Sequence, residues 1–521
     1  MKYNSFGARW FTAAFLVFSL LGCGSRDDEL KLAPDIVARA TLGQELLFVD
    51  RANGIVHAVN VMDKTLSSVA ARIDIPSNPV LAKERPGTQE VLVLCSGKRD
   101  ENDEWLEVPA LAVIERGHEV RRYELKVPLS ALTTTQDGHY ALLYSPSTDS
   151  KTGELLNNPN RVALVDLSTA PSNNNPIERV LKAPGGALRA VNLTKPMSIV
   201  GEQRPIALFT FGDGISVWDL SHPERAEITS EGLSSNGSVN LKTIVEDDEN
   251  GTLYFIQDGL TDLRVLDLDT AITGKENDFW PSWNQLPLDS SSATDLVLYQ
   301  EQGEPRVLVA VGGQVRIIDS NDSRVIPITV SKNITKLYGF EGASPNDNER
   351  KSRVLGWAPG TSAVTFIELQ ELESRGTRNM EVLELGANVS ELLSLSSTKL
   401  LAKFVFGGIG VLDLESRRFT PLTASVELTT PLIESDAERV WVGAVGDAKV
   451  GYLKPDTLET GDVRLDSTIQ EMFLFESENN KRIVVSHEST WGMITIVEAA
   501  QPTRSTSTVL GGFLLDGLVK R

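Results

Sequence analysis

The chain has 521 residues, with 50 Lys and Arg against 71 Asp and Glu, and a formal charge of −21. That balance excludes the basic face nucleic acid requires, and it excludes docking on anionic lipid through a polybasic patch. With 41% apolar and 23% charged residues the composition is that of a folded globular chain, and two Cys are too few for a Cys-based zinc cluster.

The N-terminus reads as an address. Lys2 and Arg9 precede the apolar run 10–21 (WFTAAFLVFSLL), which has the length of a signal-peptide core and falls short of a membrane span. The run ends in Leu20-Leu21-Gly22-Cys23, followed by Gly24-Ser25 and the charged Arg26-Asp27-Asp28-Glu29. This resembles a bacterial lipobox. The resemblance implies cleavage before Cys23, acylation of its thiol and a lipid tether at a membrane surface. Gly24, standing where Asp would signal inner-membrane retention in enterobacteria, implies the outer membrane. The expected division is a signal peptide over 1–22, a tether over 23–40 and one repeat domain over 41–521. Cys95, in the apolar run Val91-Leu92-Val93-Leu94-Cys95, is expected to be a buried and inert strand thiol.

One motif recurs through the rest of the chain. It has apolar residues at its first, third and fourth places and usually a carboxylate or amide at its fifth. The copies are VHAVN ending at Asn60, LAVIE at Glu115, VALVD at Asp166, ISVWD at Asp219 and LRVLD at Asp267. They continue with VRIID at Asp319, VTFIE at Glu368, IGVLD at Asp413, VGYLK at Lys454 and ITIVE at Glu498. The spacing is roughly 41 to 55 residues throughout, a period that marks a blade-sized unit. Alternation and β-branched content make each copy a strand. Most follow a second apolar run and a Gly- or Asn-containing turn, as in Leu46-Leu47-Phe48-Val49 before Asn53-Gly54. Weaker strands flank the pair, as at 295–299 (DLVLY) and 324–330 (RVIPITV).

Four antiparallel strands at this period predict an all-β chain, a β-propeller of about ten blades. A single large ring is favoured over two tandem rings, or over seven or eight blades with extra hairpins. Residues 513–519 (FLLDGLV) are expected to form one more strand that clasps the first blade. Asp166, Asp219, Asp267, Asp319 and Asp413 are expected to cap turns, because a residue that recurs in every blade answers a need of every blade. Val217-Trp218-Asp219-Leu220 resembles the WD strand of WD40 repeats. The stretch from Leu253-Tyr254-Phe255-Ile256 through Leu263-Arg264-Val265-Leu266-Asp267 resembles YVTN-type bacterial surface propellers. Gln136-Asp137-Gly138-His139-Tyr140 resembles a turn of TolB-like propellers. These resemblances imply architecture and little about activity.

Chemistry is sparse. His57, His118, His139, His222 and His487 have no zinc-site spacing and are expected at surfaces or turns. No nucleophile elbow, P-loop or dinucleotide fingerprint occurs. Two long loops in adjacent blades are expected to rim one face. They are 96–107, with Asp103 and Glu104 just before Trp105, and 145–160. A second candidate surface is Phe279, Trp280 and Trp283, expected on the opposite face. Residues 246–251 (EDDENG) carry hard oxygen donors of the kind that bind Ca²⁺, without regular loop spacing. The expectation is therefore a lipid-anchored cell-envelope propeller that binds an envelope protein or glycan and has no other cofactor. The alternative is a lactonase-like hydrolase with a divalent metal in its central funnel.

Overall fold

The computed structural model describes residues 34–514 except 63–70, 147–157, 183–185, 231–240, 274–283, 289–291, 302–303, 320–323, 345–346, 369–379, 423–430, 478–479 and positions 173, 213 and 437. Within them lie ten four-stranded antiparallel sheets arranged in one ring, a ten-bladed β-propeller. Blade 1 is Ile36–Leu42, Glu45–Asp50, Ile55–Asn60 and Ala71–Asp74. Blade 10 is Ile469–Ser477, Asn480–His487, Met493–Glu498 and Thr508–Gly511. The first strand begins at Ile36, inside the segment 23–40 expected to be tether.

Every copy of the sequence motif is the third strand of a blade, and its fifth residue is the last of that strand in all ten. Two-sided packing explains the motif. Period-2 alternation sends neighbouring side chains to opposite faces, and in a ring both faces of a blade meet another blade. In blade 1, Leu47 and Val49 pack with Val91, Val93 and Ala112 of blade 2. Leu46 and Phe48 point the other way, against Phe475, Val484 and Ile496 of blade 10. The second strand of blade 1 is consequently buried along almost its whole length. A separate apolar cluster fills each of the ten blade-to-blade interfaces among the described residues.

Closure differs from the expected clasp. Blade 1 takes all four strands from consecutive chain, and so does blade 10. Phe513 and Leu514 form a turn that wedges into the interface between the two, with Phe513 against Phe48 at 4.8 Å between ring centroids. Residues 515–519, the remainder of the expected strand, lie outside the described residues. Arg39 bridges the same seam to Gln470 and Glu471.

Two inserted hairpins decorate the ring among the described residues, besides a short helix, Leu268–Thr273, after the third strand of blade 5. One is a hairpin in blade 2, Lys98–Arg99 with Trp105–Glu107. The other is a hairpin in blade 4, Met197–Ile199 with Glu202–Arg204, whose Met197 and Ile199 pack against Leu253, Phe255 and Leu268 of blade 5.

Candidate functional site

Strand direction sorts the loops onto two faces. In every blade the second-to-third-strand turn shares one face, here called upper, with the links between blades; the other turns lie below. The first described residues are on the upper face, since the Arg51 amide in the upper turn of blade 1 donates to the Asp35 carbonyl at 2.9 Å. The chain also leaves the last blade there, where the Leu514 amide donates to the Trp491 carbonyl at 3.1 Å.

The loop expected at 96–107 is a built hairpin on this face. At its root Gly97 has φ +75°, and a Cβ there would lie 2.5 Å from the Glu107 carbonyl oxygen, so only glycine fits. Glu107 ties the root to the ring by accepting from the Ser77 amide at 3.0 Å and from the Ser77 hydroxyl. At the tip Asp100 accepts from the amides of Asn102 and Glu104, each at 2.8 Å. These bonds, the Glu104 amide foremost, hold its carboxyl below the usual range. The Arg99 guanidinium lies over the Trp105 ring at 4.1 Å and pairs with Asp103 at 2.6 Å. Of the three residues singled out in the sequence, Trp105 is half-buried under Arg99, Asp103 is tethered to the same guanidinium, and Glu104 is exposed. Leu106, beside Trp105, is 64% exposed. Residues 147–157 of the neighbouring loop are outside the described residues. So are Cys23 and Phe279, Trp280 and Trp283.

Sequence reasoning missed a second feature of the upper face. Val405 and Phe406 in blade 8, Val445 in blade 9 and Trp491 in blade 10 all occupy upper turns, and all are exposed, Phe406 at 93% and Trp491 at 55%. The four form an apolar crest over three consecutive blades. Phe404-Val405-Phe406 reads as more strand, which hides the exposure. The available signal was Gly407-Gly408 directly after it. Both glycines have positive φ, and the Gly407 amide donates back to the Phe404 carbonyl at 3.1 Å, so Phe406 sits at a turn tip.

The lower face is occupied with holding the ring. Four of the five expected turn caps are in place, and the side chain of the fifth, Asp319, lies outside the described residues. Asp166 accepts from Ser168, Asp219 from the Ser221 amide, Asp267 from Thr270 and Asp413 from Ser416. Arginines opposite the fifth position add links absent from the sequence reading. Arg353 pairs with Glu368 at 3.0 Å, and Arg417 of the next blade reaches the same carboxylate. Beneath the inner strands of blades 3 to 6 lies a cavity of about 700 Å³ whose lining includes Thr134, Lys195, Glu246 and Asp248. Burial pushes the Glu246 carboxyl up, against the Lys195 amide that donates to it at 2.8 Å. In the acidic stretch 246–251, Asp247 is buried and accepts from Asn250. Two of its carboxylates therefore already have protein donors. Among the described residues the one carboxylate group close enough to share a cation is Glu434, Asp436 and Glu438, and Lys481 already sits on Glu434 and Asp436.

Two histidines depart from the surface roles expected of them. His57 is buried, its Nε2 3.7 Å from the buried Asp50. His487 is buried between the Thr468 carbonyl at 2.8 Å and the Thr495 hydroxyl at 2.7 Å. Both partners are remote in sequence or local only through the strand turn, so spacing could not reveal them. His118, His139 and His222 lie in turns beside Glu45, Asp166 and Asp219. Cys95 is buried, and desolvation raises its thiol pKa strongly.

No protein-family model and no curated protein matches the chain. Among solved structures it is similar to a dihydro-heme d1 dehydrogenase, NirN, at 11% identity and a TM-score of 0.40, over 73% of this chain and 74% of that one. It is similar to a computationally designed protein, Ika8, at 12% identity and 0.35, over 73% and 96%. AztD from Citrobacter koseri matches at 11% and 0.35, over 69% and 93%. At these values none of the three bears on activity.

Proposed function

We propose that the protein is a lipid-anchored cell-envelope propeller that binds an envelope protein or glycan. The observation that carries this reading is the blade 2 hairpin. It projects from a rigid ring, it is locked at root and tip, and it presents exposed Leu106 and Glu104 beside the Arg99–Trp105 stack. An exposed apolar side chain beside an aromatic–Arg pair, with a charged rim, has the composition of an interface centre, and a preformed hairpin loses little entropy on binding. In this reading Cys23 carries the acyl chains and holds the ring at the outer membrane. The test is native capture of a C-terminally tagged chain from membranes in mild detergent. The expected result is a stoichiometric partner that is lost when residues 98–105 are deleted and kept when Phe406 and Trp491 become Ser. Retention of the partner after the deletion contradicts the reading.

The cavity under blades 3 to 6, lined by Glu246 and Asp248, favours a second reading as a hydrolase with a divalent ion in the funnel. Metal analysis of the purified chain tests it: a stoichiometric ion that is lost in Glu246→Gln supports it, and its absence counts against it.

A further inference from the structure

We infer that the apolar crest of blades 8 to 10 rests on the lipid bilayer to which the chain is tethered, so that the propeller lies with its upper face toward the membrane. The inference rests on the acylation of Cys23 proposed above. Three observations carry it.

The first is position. The first described residues and the crest are on one face. Asp35 lies against the upper turn of blade 1, and blade 1 abuts blade 10, which bears Trp491. From Cys23 to Pro34 is roughly a dozen residues, at most ~40 Å when fully extended. An acylated Cys23 therefore keeps the upper face within reach of the headgroups.

The second is charge. This chain is strongly acidic, yet the upper segments 359–361, 386–388, 405–408 and 444–446 of blades 7 to 9 contain no charged residue. Within the crest, blades 9 and 10 add Asp447, which accepts from the Ala448 amide, Asp466, which pairs with Arg504, and exposed Glu488. The blade 2 hairpin on the same face is the opposite, with four carboxylates between Lys98 and Trp105. Turn tips of blades 7 to 9 without charge suit the interfacial zone of a bilayer, whereas the acidic hairpin is repelled by an anionic surface and left free for a partner.

The third is the side chains. Phe406 and Trp491 are the residue types that partition to the membrane interface, flanked by Val405 and Val445. They stand on separate turn tips, an arrangement that fits a flat, deformable surface. Because the acyl chains supply the anchoring, the crest need only set the tilt.

The test uses the full acylated chain reconstituted into phosphatidylethanolamine–phosphatidylglycerol vesicles that carry a nitroxide-labelled lipid. One variant, Phe406→Cys, takes an environment-sensitive fluorophore on the crest. The control, Ser397→Cys, takes it in the lower turn of the same blade, at the far end of strand Lys399–Phe404. Cys95 is buried and stays unlabelled. Lipid quenching at 406 at least threefold stronger than at 397 is expected. Equal or absent quenching, with mass spectrometry showing Cys23 acylated, overturns the seating and leaves the anchor standing. An unacylated Cys23 overturns the anchor, and the inference with it. A probe at 406 that is shielded without lipid, together with a doubled mass in solution, assigns the crest to a second copy of the chain and also overturns the inference. Phe406 is 93% exposed, so its replacement leaves the fold intact; unchanged melting confirms this.

Discussion

The guanidinium of Arg482 in blade 10 donates to the main-chain carbonyl of Val61 in blade 1, 421 residues earlier, at 2.5 Å. The same side chain is held from the other side by Glu498, its cross-strand neighbour, at 2.7 Å. A buried cation thus joins the two ends of the ring where no strand is shared. Arg482→Met removes the bond and leaves the Val61 carbonyl and Glu498 without their donor, at a cost of about 3 kcal/mol. Denaturant unfolding checks the value. Phe48→Ala, which empties the same seam, should cost ~3–5 kcal/mol by loss of packing. Both residues touch one interface, so the double variant should lose less than the sum.

Asp50 gives the fold an acid limit. Burial pushes its carboxyl up, but His57 close by and bonds from Asn53 and the Asp35 amide outweigh that and hold it at about 2, against an ordinary 3.8. A depressed carboxylate stabilises the folded state above its unfolded pKa and loses that contribution as pH falls through the folded one. The expected effect is a loss of ~2 kcal/mol between about pH 4 and pH 2. In Asp50→Asn that portion of the acid limb should flatten and stability at neutral pH should drop. An unchanged acid limb would show that Asp50 is not the group responsible.

Gly97 controls the hairpin without being part of its surface. A methyl group there meets the Glu107 carbonyl at 2.5 Å and the Pro109 nitrogen at 2.7 Å. Gly97→Ala should displace the hairpin from the ring. Trypsin cleavage after Lys98 or Arg99 should accelerate at least tenfold. The ring's melting temperature should fall by only a few degrees, on the order of 1–2 kcal/mol.

Cys95 should be silent toward thiol reagents. It is fully enclosed between blades 1 and 2, and desolvation disfavours the thiolate that would react. Labelling with a disulfide reagent should follow global unfolding across a denaturant series. Labelling of the native protein at neutral pH would show that this interface opens.

The sequence made the third strands legible because their burial is two-sided and their last residue serves the turn that follows. Asp166 and Asp413 behave as their position suggests. Ring closure was not legible in the same way. It depends on Arg482, Val61 and Phe513 meeting across the whole length of the chain, and a clasp strand was the simpler expectation. Trp105 stood out because charged residues surround it. Phe406 did not, because the residues before it alternate as a strand does, and only the glycine pair marks where the strand ends. The blade 4 hairpin escaped because it turns at Val200 and Gly201, both at positive φ, and valine gives no turn signal. His57 and His487 were misplaced because the groups that satisfy them are brought near by folding.

The most direct test of the scaffold reading is a photo-cross-linking amino acid at position 106 in the full chain, illuminated in cells, with position 397 as the control. Leu106 lies on the hairpin and Ser397 on the lower face, and both are exposed. The expected result is one discrete adduct from 106 and none from 397, with the adduct lost in Gly97→Ala. No adduct from 106, or the same adducts from both positions, would contradict the claim that the hairpin carries the partner.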